Sequence, residues 1–358
     1  MFPEWTWIIG FWIGAAVGSF LNVVIYRVPR GLSVAKPTHS FCPKCKSRLT
    51  ALDLIPILSW LFLGSKCRHC KAPVSSRYFW VEVINASLWA AIWWQQLCQA
   101  NPVVIASIDK GHDLEMYGDP VRAIAYMLFA SALVAAIFTD LAHYIIPDQI
   151  NAFLLFVGLA MNGIMIAQNR AEAWAWGIPA SIAGALTGIG VLWGIAFLGR
   201  IAFRKDAMGH GDIKMARGIG AVLFPFLSLV SFGVAVVFGA VTGLLVVVLR
   251  KVLPTQPAQP EEEGDEPYEP ESIGSLFKCG LGYLLCVDVI GLLFPKLYES
   301  WFGEDPYAIE EFEEEPQVEL TMIPFGPSLA AGALAAVLFA KPLTSLVENY
   351  FRSIYGGN

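Results

Sequence analysis

Apolar residues run along this chain in long blocks rather than alternating with polar ones. Blocks free of charged side chains cover residues 5–26, 83–108, 123–139, 149–169, 173–199, 218–249 and 320–340. A helix needs about 20 apolar residues to cross a bilayer, so each block except 218–249 predicts one spanning helix. The 32 residues from Gly218 to Leu249 are too long for a single crossing at about 1.5 Å per residue. They predict two short spans with a tight turn near Ser228 to Phe232, the first starting a little before Gly218. The expected fold is an all-α polytopic membrane protein with about eight transmembrane helices. No cleavable signal peptide is expected, because the first block is span-length and Glu4 stands where a basic n-region would be.

Composition agrees: 56% of residues are hydrophobic, 15% are charged and mean hydropathy is +0.56, against roughly 25% charged in soluble domains. The net charge of −6 is unevenly spread. Residues 254–272 hold seven acids and five prolines, residues 299–319 hold nine acids, and neither piece has a Lys or Arg. Outside 254–319 the chain carries 22 basic and 13 acidic residues. Residues 27–79 carry ten Lys or Arg and 200–217 carry five, with Arg250 and Lys251 beyond them. The positive-inside rule places these segments in the cytoplasm and the N-terminus outside. Counting spans then puts the stretch from Asp140 to Asp148 in the cytoplasm too. Asp140 and Asp212 therefore meet the same membrane face, although 72 residues separate them.

The expected organisation is a first transmembrane helix (1–26), a small cytoplasmic cysteine domain (27–79) and a transmembrane core of helices two to seven (80–251). An acidic Pro/Glu-rich insertion (252–319) with an apolar segment at 273–295 follows, then a last transmembrane helix (320–345) and a tail (346–358). The cysteine domain contains CPKC and, 21 residues on, CRHC. Cys42, Cys45, Cys67 and Cys70 form two thiolate claws suited to a tetrahedral four-sulfur zinc site. A disulfide or redox role is the other reading, and the cytoplasmic placement disfavours it. A domain of about 50 residues has little core of its own, so a structural metal makes physical sense. Cys98, Cys279 and Cys286 sit in apolar runs and read as small buried hydrophobes.

Asp140 closes the apolar run ALVAAIFTD. Acids at membrane depth are costly and so are functional suspects, although an acid at a helix end can also snorkel or cap. Asp148 follows Pro147 and reads first as a helix N-cap. Asp212 lies in GHGDIK, where an N-cap is again the plain alternative. Gly209 and Gly211 allow close backbone approach or unusual dihedrals, Lys214 could bias an acid pair or hold a substrate acid, and His210 reads as a loop residue. Two carboxyls within about 3 Å share a proton at neutral pH. One then activates water while the other protonates a carbonyl or leaving amine. The residues permit this chemistry without establishing it.

The ordered set GSFLNVVIYRVPR (18–30), the cysteine module with LDLIPILSWLFLGSKCRHC (52–70), SSRYFWVE (75–82), FTDLAHYIIPD (138–148), GHGDIK (209–214) and IPFGP (323–327) resembles the bacterial prepilin peptidases, or type IV leader peptidases. The resemblance covers about 1–251 and 320–345. It implies a multi-pass protease of the bacterial inner membrane that cleaves prepilins and pseudopilins after a glycine at the cytoplasmic face, with Asp140 and Asp212 as the catalytic pair. The four-cysteine form of the family further implies N-methylation of the new terminus with S-adenosylmethionine. No strand–GxGxxG–helix pattern marks a site for that methyl donor, and the glycines of GALTGIG (184–190) read as helix-packing positions.

The insertion departs from this pattern. Its 273–295 segment is long enough to span but carries Lys278 and Asp288, and a crossing would put IPFGP on the wrong face. A re-entrant or interfacial segment is therefore expected, with a ninth span as the alternative. Membrane lipid surrounds the spans, and nothing points to a nucleic-acid partner or to an oligomeric state. Two further readings remain: a peptidase without methyl transfer, and a non-enzymatic zinc-bearing scaffold or proton carrier, the latter weakened by the lack of an inverted repeat.

Overall fold

The computed structural model describes residues 2–36, 39–42, 44–99, 118–204, 208–252, 272–307 and 324–355. Most of the acidic pieces 254–272 and 299–319, the loop 100–117, Ile323 and Asn358 lie outside the described residues. The helices in chain order are α1 (Trp7–Arg27), α2 (Leu58–Phe62), α3 (Ser76–Trp93), α4 (Pro120–His143), α5 (Asp148–Ala167), α6 (Ala180–Phe203) and α7 (His210–Val252). They continue as α8 (Ile273–Leu284), α9 (Val287–Gly291), α10 (Pro295–Phe302), α11 (Gly326–Leu338) and α12 (Ala340–Tyr355). Five helical stretches among the described residues are long and apolar enough to cross a membrane: Glu4–Arg27, Pro120–His143, Asp148–Ala167, Ala180–Phe203 and His210–Val248.

Small residues set the helix contacts. A Cβ at Gly14 would stand 2.6 Å from Trp89 Cβ, and one at Gly18 would stand 2.8 Å from Glu82 Cα, so α1 runs antiparallel to α3 at backbone distance. Asn85 sits in this seam, donating to the Gly14 carbonyl (2.7 Å) and accepting from the Ser131 hydroxyl (2.9 Å), which ties α1, α3 and α4 together. Gly184 faces Gly220 and Gly188 faces Ala216 across the α6–α7 contact. Two of the three GALTGIG glycines thus serve close packing, as their place in an apolar run suggested, whereas a Cβ on Gly190 would meet nothing within 4 Å.

Several boundaries differ from the sequence expectation. α3 begins at Ser76, inside the range assigned to the cysteine domain, because Arg77 and Glu82 hid its first turns from a count of uncharged residues. The break in α7 falls at Phe224 (φ 61°, ψ 174°) before Pro225, not at Ser228 to Phe232. Proline has no N–H to donate and its ring excludes the preceding helical turn, whereas Ser228 and Ser231 bond their hydroxyls to carbonyls three residues back and stay helical. The chain reverses at this corner: Gly220 lies against Gly184, while Gly239 lies against Phe325, beside Gly326. The block 173–199 opens with a two-stranded antiparallel hairpin, β1 (Trp174–Ala175) and β2 (Ile178–Pro179), so the fold is mostly rather than wholly helical. The last expected span divides at Phe339 into the 13-residue α11 and α12, and the expected tail is helical through Tyr355.

One end of the molecule gathers Phe2, whose N–H donates to the Leu97 carbonyl (3.2 Å), and Asp119, whose N–H donates to the Gln96 carbonyl (2.8 Å). Arg170 pairs with Asp119 (2.7 Å) and Arg122 with Glu172 (2.9 Å) at the same end. The opposite end gathers the start of α3, the α4–α5 turn, the starts of α7 and α11 and the helices of the insertion. The insertion's apolar segment is three short helices, interrupted at Cys286 (φ 56°), and none is long enough to cross alone. This fits the re-entrant or interfacial reading.

Candidate active site

Asp140 lies in the last turn of α4, which ends at Tyr144 in the left-handed conformation (φ 55°). Its side chain is not snorkelling: the residue is 5% exposed. The Gly326 N–H, at the start of α11, bonds its carboxylate. Gly326 has no room for a side chain, since a Cβ there would collide with Asp140 Oδ2 and stand 2.9 Å from Ile146 Cδ1. Asp212 lies in the first turn of α7, within electrostatic reach of Asp140. It is not the N-cap, because the helix has already begun at His210. Ile146 links the two acids: its side chain meets Gly326 beside Asp140, and a Cβ on Gly211 would stand 3.3 Å from Ile146 Cβ. The glycines of GHGDIK therefore act through space. Neither Gly209 nor Gly211 has a positive φ, and a Cβ on Gly209 would meet only Asp212 Oδ2, at 3.7 Å.

Asp148 and Lys214 have different partners from those expected. Pro147, not Asp148, occupies the N-cap position of α5, and no side chain caps that helix. The Asp148 carboxylate instead accepts from Lys214 Nζ (2.8 and 2.9 Å) and from the Tyr298 hydroxyl (2.6 Å). Lys214 is thus matched by a third acid rather than by Asp140 or Asp212. His210 is not a free loop residue, since its Nδ1 is 2.9 Å from the Tyr283 hydroxyl.

The second candidate centre lies between α1 and α3. The Sγ atoms of Cys42, Cys45, Cys67 and Cys70 all lie within 4.8 Å of one another, and Cys42 Sγ is 3.9 Å from Cys70 Sγ. A tetrahedron with Zn–S bonds of about 2.3 Å has edges of about 3.8 Å, so the set fits a zinc ion. Each CxxC is presented by the same turn. The Lys46 N–H returns to the Cys42 carbonyl (2.8 Å) and the Lys71 N–H to the Cys67 carbonyl (3.0 Å), both lysines being left-handed. Donors from Ser47 pull the Cys45 thiol down to about 6. The Cys70 and His69 N–H groups lower Cys67. Cys70 itself is pushed up to about 11: the Ala72 N–H lowers it, but burial and the three neighbouring sulfurs outweigh that. Four crowded sulfurs cannot all be thiolates without a cation among them. None of the seven described cysteines is in a disulfide; Cys98 is buried, and Cys279 and Cys286 are half-buried.

Pattern reading missed three residues of the site. Gly326 was visible only through the resemblance of IPFGP. Tyr298 and Asp288 belong to the insertion and carried no motif, although Asp288 within one apolar run and Arg217 at the edge of another were a complementary pair of signals.

Long apolar helices, two carboxyls within electrostatic reach of each other at one end, and a four-cysteine cluster after the first helix define a mostly helical, polytopic class of protein. Two family models match the chain: the bacterial peptidase A24 N-terminal domain over residues 12–96 and the type IV leader peptidase family over residues 127–244. A prepilin leader peptidase/N-methyltransferase of Myxococcus xanthus is 31% identical, over 97% of this chain and 94% of that protein. A protein of the same description from Aeromonas hydrophila is 32% identical over 65% of this chain and 79% of its own length. An Escherichia coli type 4 prepilin-like proteins leader peptide-processing enzyme is 30% identical over 59% and 75%. No solved structure gives a significant match. The chain belongs to the type IV leader peptidase family.

Proposed function

We propose that this protein is a bifunctional enzyme of the bacterial inner membrane, a prepilin leader peptidase and N-methyltransferase. It cleaves the leaders of prepilins and pseudopilins after a glycine and then methylates the new N-terminal amine from S-adenosylmethionine. Asp140 and Asp212 are the catalytic pair. The observation that carries this is that Asp140, packed against Gly326, lies within electrostatic reach of Asp212, 72 residues on in sequence. One carboxylate removes a proton from water as it attacks the scissile carbonyl, while the other acid protonates the carbonyl oxygen; as the gem-diol collapses, the first passes its proton to the leaving amine and the second takes back the hydroxyl proton. Gly211 and Gly326 let Ile146 and the Asp140 carboxylate close in on the pair, while Gly209, Lys214 and Asp148 support the Asp212 turn.

The reading includes about eight transmembrane helices, supported by the five long apolar stretches. α3, the two limbs of α7 and α11 join the other long helices, with the N-terminus outside. The ion pairs joining the Asp119 and Arg170 loops support their common outer face. The proposed domains follow the sequence expectation, except that the cysteine module ends just before α3. A zinc ion held by Cys42, Cys45, Cys67 and Cys70 would supply structural cross-linking of that module. The basic module and the acid pair then face the cytoplasm, where a prepilin's basic leader emerges from its membrane helix. The test is incubation of the purified protein with a model prepilin, with and without S-adenosylmethionine, followed by mass spectrometry. The reading requires a cut after glycine in both cases and one added methyl group only with the donor. An intact prepilin would refute it, and an unmethylated product would refute its second half.

A further inference from the structure

We infer that the insertion's three helices, Ile273 to Phe302, are a brace that positions Asp212, an inference that rests on the proposed catalytic pair. The first turns of α7 carry His210, Lys214 and Arg217 at spacings of four and three residues, and such residues share one helix face. Each of them bonds to the insertion. His210 Nδ1 is 2.9 Å from the Tyr283 hydroxyl, and Lys214 Nζ is 3.3 Å from the Tyr298 hydroxyl. Arg217 donates to the Tyr283 carbonyl (2.7 Å) and forks onto both oxygens of Asp288 (2.8 and 2.5 Å). Arg217 and Asp288 are each 1% exposed.

Asp212 is two residues from His210, so it leaves the helix about 200° around the axis, away from the brace and toward Ile146 and Asp140. A helix held at three residues along one face has little freedom to roll, and rolling is the motion that would swing Asp212 away from Asp140. The start of α7 needs such a hold because glycines occupy both positions flanking His210 and lack side chains to pack. The bidentate Arg217–Asp288 pair is the anchor, since a guanidinium fork and a carboxylate fix orientation as well as distance. Tyr298 extends the brace to α5 through Asp148, so the helix after Asp140 and the helix bearing Asp212 are referred to one frame. Asp288, which looked costly in an apolar run, is the group that completes this frame. Tyr283, Asp288 and Tyr298 are positioning residues in this account and touch no substrate.

The test uses the full-length protein in detergent with a model prepilin. Tyr283→Phe and Tyr298→Phe each remove a single oxygen, and Asp288→Asn removes the anchor's charge. A misplacement of about 1 Å at a reacting group costs on the order of 100-fold. We expect kcat to fall about tenfold in each tyrosine variant and about 100-fold in Asp288→Asn, a graded share of that figure. KM should stay within about twofold, because substrate binding is not what the brace provides. Should Asp288→Asn not fold, the tyrosine variants, checked by their thermal melts, carry the test alone. Wild-type kcat in both tyrosine variants would overturn the brace, and so would a raised KM with unchanged kcat, which would make the insertion a substrate surface. A wild-type protein that fails to cleave would instead overturn the functional reading beneath it.

Discussion

Adding one methyl group at Gly326 tests the geometry of the acid pair without touching either acid. An ideal Cβ at this position collides with Asp140 Oδ2 and lies 3.2 Å from Asp140 Cγ and 2.9 Å from Ile146 Cδ1. Comfortable carbon–carbon separations are about 3.5–4.0 Å, so the carboxyl, the isoleucine or the start of α11 must move by something approaching 1 Å. The same shift stretches the hydrogen bond from the Gly326 N–H. Displacement on that scale costs on the order of 100-fold in rate, or about 2.7 kcal/mol of transition-state stabilisation. Overpacking would also destabilise the fold by about 1–3 kcal/mol, so melting is measured alongside kcat and KM for prepilin cleavage. Gly163→Ala is the matched control, because a Cβ there meets nothing within 4 Å. The expected result is a kcat loss of about 100-fold in Gly326→Ala at similar KM, with Gly163→Ala unaffected. Full activity in Gly326→Ala would refute the argument that Asp140 is held by contact with this glycine.

Removal of the cysteine claw by Cys42→Ser/Cys45→Ser should abolish the content of about one zinc ion per chain, read by atomic absorption, and should damage folding or methylation before cleavage. Gly220→Leu should prevent accumulation of folded protein, since the Gly184 backbone occupies the space a side chain needs and the cost exceeds about 3 kcal/mol; the check is detergent-extractable monodisperse protein. Asp53 pairs with Arg68 at 2.6 Å, clamping the Ala51–Leu54 turn to the second claw. Burial raises its carboxyl, but bonds from Thr50 and Arg68 outweigh this and hold it down at about 2. A depressed carboxyl stabilises fully above its unfolded value of about 3.9 and loses that contribution as pH falls through about 2. Asp53→Asn should therefore lower the stability of the module at pH 7, by about 1 kcal/mol or less given the half-exposed Arg68, measured as earlier zinc release to a chelator.

The long apolar blocks made most of the helices legible, and charge asymmetry implied one membrane face for Asp140 and Asp212. What failed was local. Dividing the block from Gly218 to Leu249 by length placed its break at Ser228 to Phe232, although Pro225 was the residue unable to continue the helix. Asp148 looked like a cap because it follows proline at a helix start, but its carboxylate is taken by Lys214, 66 residues away. Pairings at that separation leave no periodicity to read. The Arg217–Asp288 fork spans 71 residues and converts a penalised acid into a structural contact. Spacing alone did reveal the cysteine centre, because both claws are local turns and each is complete within a few residues.

The central claim is that Asp140 and Asp212 act as one catalytic unit. Its most direct measurement is the single-turnover cleavage rate of a model prepilin by Asp140→Asn, Asp212→Asn and the double variant, each shown to be folded and to bind zinc. The account predicts that either single change abolishes cleavage and that the double variant is no worse, as expected when residues act together. Substantial cleavage by either single variant would contradict it.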